Sequence, residues 1–149
     1  MAYFWYHKID EMIRKFTPIL LTLLFSITLN AQDNKPVNVV KASLIAYNNV
    51  DIDAFMSYFS DDIVMKDFDS SKVTAKGKDE VKAIYEPYFK ASPNLHSKII
   101  DRITFDNKVM DHEYITGARG NNEPFEIVVI YEVTDGKISN MLAVRKSKK

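Results

Sequence analysis

From residue 95 to residue 145 the chain alternates. Four stretches, 95–106, 108–117, 124–134 and 137–145, are rich in Ile, Val, Phe, Tyr and Thr. Their two-residue period is that of strands with one buried face. The breaks between them are Asp106-Asn107, Gly117 to Asn122, and Asp135-Gly136. All three carry turn chemistry, and Asp-Gly is the strongest short hairpin signal. Links this short leave no room for a crossover, so consecutive strands are expected to pair antiparallel as a meander. Such a sheet cannot bury its apolar face on its own, and the rest of the chain must cover it.

The preceding hundred or so residues contain the cover. Residues 36–49 read as a helix: Pro36 suits a first-turn position, Val37, Val40, Leu44 and Tyr47 form one stripe, and Asn48-Asn49 ends it. Asp51 or Asp53 can cap a second, shorter helix carrying Phe55, Met56 and Phe59. Asp61-Asp62 starts a turn, and Ile63-Val64-Met65 begins a strand. Gly77 marks the next break. Asp79 and Glu80 then sit where a helix dipole favours negative charge, and Val81, Ile84, Tyr85, Tyr88 and Phe89 follow at helical spacing. Pro87 removes the bond to Ala83 and is expected to kink the last turn before Ser92-Pro93-Asn94. The order is helix, helix, strand, helix, then four strands, which predicts an α+β fold with helices packed on one face of a curved sheet.

The N-terminal part has a different character. Met12-Ile13-Arg14-Lys15 is basic, Phe16 to Leu29 carries no charge, and polarity returns at Asn30-Ala31-Gln32-Asp33. This is the order of a secretory signal peptide, and the apolar run is short for a membrane span of about 20 residues. Residues 12–31 are therefore expected to direct export, with cleavage near Ala31 and a secreted or periplasmic product. Residues 1–11, MAYFWYHKIDE, fit poorly before such a signal and are read as a start-site extension ahead of Met12. The expected domain is 33–149, with 17 basic and 18 acidic side chains. That balance gives no electrostatic reason to expect a nucleic-acid partner. The 149 residues contain no cysteine and three histidines, His7, His96 and His112, with no ligand-spaced pair. Disulfides, thiol nucleophiles and a metal centre are accordingly not expected. There is also no phosphate-cradling glycine loop and no nucleophile elbow, so no cofactor is expected.

The segment Asn48 to Asp67, NNVDIDAFMSYFSDDIVMKD, resembles the nuclear-transport-factor-two-like superfamily: a turn with aspartates, a short helix ending in Phe, paired Asp, and a strand ending in Asp. Gly77 with Val81, Ile84 and Tyr85 continues the match, and Asp135-Gly136-Lys137-Ile138 matches its last hairpin. Members include ketosteroid isomerases, scytalone dehydratases, limonene epoxide hydrolases and SnoaL-like polyketide cyclases. The resemblance spans about residues 36 to 145 and implies a cone-shaped, strongly curved mixed sheet with three helices on its concave side, the cystatin-like α+β roll. It also implies an apolar pocket and a homodimer through the outer sheet face. It is specific for fold and weak for activity.

On that resemblance Asp67 stands where the isomerases carry their general base, at the edge of a pocket where an apolar surrounding would raise its pKa. Tyr85 corresponds to an aromatic that supports the oxyanion donor. The donor positions themselves fall on Ser43 and Val129, which argues against true ketosteroid isomerisation. Tyr47, one turn beyond Ser43, is a substitute donor. In Asp111-His112-Glu113-Tyr114, alternation turns either His112 and Tyr114 or Asp111 and Glu113 toward the cavity. The cost of burying two unpaired carboxylates favours His112 and Tyr114. Phe125, Ile127, Val129 and Tyr131 share a face and, with Met141, are read as core or pocket wall. His96 reads as a surface residue. Arg145 could anchor an acidic ligand at the mouth, although the following Lys146, Lys148 and Lys149 read more simply as a solubilising tail. The expected function is cofactor-free acid–base catalysis of isomerase, cyclase or dehydratase type on a small hydrophobic molecule, with Asp67, His112, Tyr85 and Tyr47 as its residues. The competing expectation is a non-catalytic ligand-binding or dimeric interaction module of the same fold.

Overall fold

The computed structural model describes residues 35–120 and 123–146. The expected start-site extension (1–11), export segment (12–31) and cleavage point lie outside them. The elements are α1 (Pro36–Asn48), α2 (Ile52–Ser57), β1 (Phe59–Asp67), β2 (Val73–Lys76), α3 (Lys78–Lys90), β3 (His96–Phe105), β4 (Lys108–Thr116), β5 (Phe125–Thr134) and β6 (Lys137–Arg145). A 3-10 turn, Ala118–Gly120, lies between β4 and β5. The fold is α+β: three helices pack on one face of a curved six-stranded mixed sheet ordered β2-β1-β6-β5-β4-β3. Strands β3 to β6 form the antiparallel meander. Among the described strands only β1 against β6 is parallel, which sets β1 and its hairpin partner β2 beside the last strand.

Local chemistry explains most boundaries. Pro36 opens α1, which buries Val39, Val40, Ser43, Ala46 and Tyr47 against the sheet. The Asp51 carboxylate caps α2, accepting the Ala54 N–H at 2.9 Å. Phe59, read above as helical, instead begins β1 and is fully buried. The hairpin strand β2 carries one buried residue, Ala75, too little alternation to announce a strand in the sequence. Pro87 sits inside α3 without ending it, and the helix runs on to Lys90 with the Ala91 N–H bonded to the Pro87 carbonyl. The carbonyl that Pro87 leaves unbonded belongs to Ala83, an exposed residue that water can satisfy. The helices meet the sheet through an aromatic cluster in which Phe55 lies 4.8 Å from both Phe59 and Tyr85, ring to ring. Edge and tilted pairs of this kind add about 0.5–1.5 kcal/mol each beyond simple burial.

Gly117 is required where it stands. It has φ of +67°, and a Cβ there would lie 2.1 Å from the Asn94 carbonyl oxygen. The residue thus lets the β4–β5 connection close onto the turn after α3, and this carries Ala118 and Arg119 to the pocket described below.

One irregularity sets which side chains face inward. In β4 the buried residues are Val109, Asp111, Glu113 and Ile115, so Met110, His112 and Tyr114 point outward. Opposite them on β3, Ser97 pairs with Ile115 and Ile99 with Glu113, and the register then slips so that Arg102 pairs with Asp111. A bulge adds one residue to one strand and reverses the parity of everything after it. Without it Asp101 would face inward. With it, Arg102 does.

Candidate functional site

A cavity of about 440 Å³ lies between the helices and the inner face of the sheet. That is within the roughly 300–1,000 Å³ of typical small-molecule sites. The helices contribute Ser43 and Tyr47 from α1, Phe55 from α2, and Tyr85 and Tyr88 from α3. The sheet contributes Glu113 from β4, the row Phe125, Ile127, Val129 and Tyr131 from β5, and Met141 from β6. Arg145 from β6 and Arg119 from the 3-10 turn also line it.

Glu113 is the one buried carboxylate among the described pocket-lining residues. Its Oε2 accepts the Ser97 hydroxyl at 2.6 Å and its Oε1 accepts the Tyr131 hydroxyl at 3.0 Å. Burial pushes its pKa up, against the opposing pull of these two donors, and the neighbouring Asp111 adds to the rise. Ser97 is itself fixed by Asn48 at the end of α1. The Ser97 N–H donates to Asn48 Oδ1 at 2.7 Å, and Asn48 Nδ2 donates to the Ser97 carbonyl at 3.0 Å. A helix end, a strand start and two hydroxyls therefore hold one carboxyl group in place, and each of its oxygens keeps a second acceptor site.

Asp111 lies two residues away on the same face and is fully buried. Arg102 neutralises it through a two-pronged contact, Nε to Oδ1 at 2.6 Å and Nη2 to Oδ2. The pairing also holds the Arg102 guanidinium charged, with its pKa pushed up. Asp111 thus belongs to a structural ion pair, whereas both hydrogen bonds to Glu113 come from neutral groups.

The pocket's phenols are proton donors over the physiological range. Burial pushes Tyr47, Tyr85 and Tyr131 upward, and the buried Tyr47 is further raised by Tyr88 beside it. Tyr47 and Tyr88 share a hydroxyl–hydroxyl bond of 3.0 Å. Ser43 is committed to its own helix, donating to the Val40 carbonyl at 2.9 Å.

The expected site residues separate into two groups. Tyr47, Tyr85, Val129, Tyr131 and Met141 line the pocket. His112 and Tyr114 do not: they lie on the outer face, where His112 Nε2 is 2.9 Å from Glu126 Oε2 and Tyr114 is well exposed. The expected parity is therefore corrected. Inward carboxylates are costly only when unpaired, and here Arg102 pairs Asp111 while Ser97 and Tyr131 bond Glu113. Asp67 also differs from expectation. It stands at the end of β1, partly exposed, with Oδ1 accepting the N–H and hydroxyl of Ser70 and Oδ2 accepting Arg145 Nη1 at 2.9 Å. The Ser70 contacts, and then Arg145, hold its carboxyl below the usual range, the opposite of the rise expected of a pocket base. His96 is exposed at the start of β3. Among the described residues no group of three or more His, Asp or Glu is placed to hold a metal ion. The alternation of β4 admits Glu113 as an inward carboxylate but does not select it. The residues that sequence reasoning missed are Ser97 and Arg102 on β3 and Asn48 at the end of α1, none of which the β4 alternation marks.

A family model for the SnoaL-like domain matches residues 40–141. No curated protein matches the chain. Among solved structures, an uncharacterised cystatin-fold protein from Novosphingobium aromaticivorans is 27% identical, with a TM-score of 0.67, over 74% of this chain and 98% of that one. An NTF-2 like protein of unknown function from Burkholderia xenovorans is 18% identical, with a TM-score of 0.64, over 79% of this chain and 88% of that one. An LEH-like epoxide hydrolase from Mycobacterium tuberculosis is 17% identical, with a TM-score of 0.63, over 75% of this chain and 83% of that one. The last two share the fold alone.

Proposed function

This chain belongs to the SnoaL-like domain family, and from that premise we propose that its pocket takes a small, mainly apolar molecule and that Glu113 moves a proton to or from it without a cofactor. One observation carries the proposal: an oriented, desolvated carboxyl group, raised in pKa, lines a cavity whose wall around it is formed largely by aromatic and aliphatic side chains. A carboxylate tuned toward neutrality is an effective general base and, once protonated, an effective acid. Glu113 would take a proton from a carbon beside a carbonyl, leaving the electron pair on the enolate oxygen, and return that proton to another atom of the same molecule. The hydroxyls of Tyr47 and Tyr85 are the available donors to the oxygen. The base of this reading is Glu113, not Asp67 or His112. Ser43 and Val129 at the isomerase donor positions favour a chemistry less demanding than ketosteroid isomerisation, and they equally suit a non-catalytic ligand carrier.

Native mass spectrometry of the protein from its own cells, followed by solvent-deuterium exchange into the captured molecule, separates the two. Catalysis predicts exchange that falls about 100- to 10,000-fold in Glu113→Gln, with binding retained. A ligand that neither exchanges nor changes in the wild type would establish the carrier reading.

The proposal includes export directed by residues 12–31, which an intact mass of the native protein beginning near Gln32 would support. It also includes a homodimer through the outer sheet face. Ile103 and Phe105 are 58% and 78% exposed there, beside Met110 and Tyr114. The partly exposed Val128, Ile130, Leu142 and Val144 share that face by register. Continuous apolar surface of this kind is rare on a monomer. Sedimentation equilibrium should give twice the chain mass at micromolar concentration, with Ile103→Lys plus Met110→Lys shifting it to one. A monomeric wild type would remove the dimer from the account.

A further inference from the structure

Resting on the reading of this cavity as a ligand pocket, we propose that its ligand is an organic carboxylate, held at the rim by Arg119 and Arg145 with its apolar body directed toward Glu113.

The charge in the pocket is divided by depth. Glu113 is buried, whereas Arg119 and Arg145 line the same cavity and are exposed. Lys66 is a third cation on the rim and Glu123 the opposing charge. Both arginines are carried there by specific structure. Arg145 Nη1 is held by Asp67, which is anchored in turn by Ser70. Among the described residues this is the one hydrogen-bonded contact of the Arg145 guanidinium, and its remaining N–H groups are donors a ligand can use. Arg119 is delivered by the close approach of Gly117 to Asn94, and its N–H donates to the Ser92 hydroxyl at 2.7 Å, with Ser92 fully buried. Its backbone takes φ of +51°, a costly region for a residue with a side chain. Its guanidinium lies 5.8 Å from the centre of the Tyr88 ring, on the pocket wall.

A guanidinium presents a rigid planar fork that matches a carboxylate, and two on one rim bracket it. The aromatic walls beside Glu113 could in principle suit an ammonium ion. However, the Tyr88 ring is already engaged by Arg119, and the rim would repel a cation on entry. An acid with its carboxylate in solvent at the rim and its body inside satisfies both conditions. It also avoids bringing a second carboxylate to Glu113.

The test uses three probes with one apolar body: naphthoate, naphthamide and naphthylmethylamine, titrated calorimetrically into the purified protein at low and high salt. Naphthoate should bind about tenfold more tightly than naphthamide, and the preference should shrink as salt screens the exposed arginines. Arg119→Met should lose most of the preference for acid over amide, and Arg145→Gln part of it. Equal binding of amide and acid, tighter binding of the amine, or a preference that survives in both variants would overturn the proposal while leaving the pocket reading intact. Failure of all three probes would overturn both.

Discussion

Replacing Arg102 with Met should destabilise the protein by about 3–5 kcal/mol, the usual cost of removing one partner of a buried ion pair. Asp111 is fully buried, its partner's side chain is only 14% exposed, and Arg102 is its cation. With Arg102 gone, a charge with no access to water faces inward. Glu113, two residues along the same face, loses a cation that draws its pKa down while keeping the Asp111 charge that pushes it up. Two uncompensated carboxyls then share one inner face. For a domain of this size the thermal midpoint should fall by on the order of 15 °C. The partner deletion distinguishes ion pairing from simple loss of packing. Arg102→Met with Asp111→Leu should recover most of the loss, because an apolar pair of similar volume commonly matches or exceeds a buried salt bridge. A single variant within about 1 kcal/mol of the wild type would mean that Asp111 is not held as the distances imply.

Glu113→Gln should act in the opposite direction on stability. Glu113 has its folded pKa raised above its ordinary value, so the fold holds a proton that the unfolded chain releases. The stability it contributes is fully present below the unfolded pKa and is lost as pH rises through the folded one. Gln carries no charge to bury and keeps a carbonyl for one hydroxyl. Chemical denaturation across pH should therefore show the variant and the wild type level in acid. The variant should become more stable above, by on the order of 1 kcal/mol or more, over the same range in which the wild type declines. A stabilising substitution that removes proton transfer is the expected signature of a carboxyl kept for function. A difference that stays flat with pH would contradict a raised Glu113.

The helices and strands were legible because burial repeats with a period, and the period survives in residue type. Val81 to Phe89 reads as one helical face whatever lies opposite. The inner face of β4 was not legible, since Val109 and Ile115 argue for one parity and Met110 for the other. The deciding event is on a different strand: the slip after Ile99 turns Arg102 inward and makes an inward Asp111 affordable. No local pattern in Ile99-Ile100-Asp101-Arg102 announces it. Asp67 failed for a related reason. Its position in the chain agrees with a catalytic aspartate, but its surroundings come from Ser70 in the following turn and from Arg145, seventy-eight positions away. Tyr47 and Tyr85 were legible because they lie on the apolar stripes of their helices, and those stripes face the cavity.

The most direct measurement is the titration of the Glu113 side-chain carboxyl by carbon-detected NMR, assigned by its disappearance in Glu113→Gln. The account predicts a midpoint clearly above that of the exposed glutamates, moving further upward in Arg102→Met. A midpoint at or below the ordinary glutamate value would contradict it and return Glu113 to the role of a buried structural acceptor.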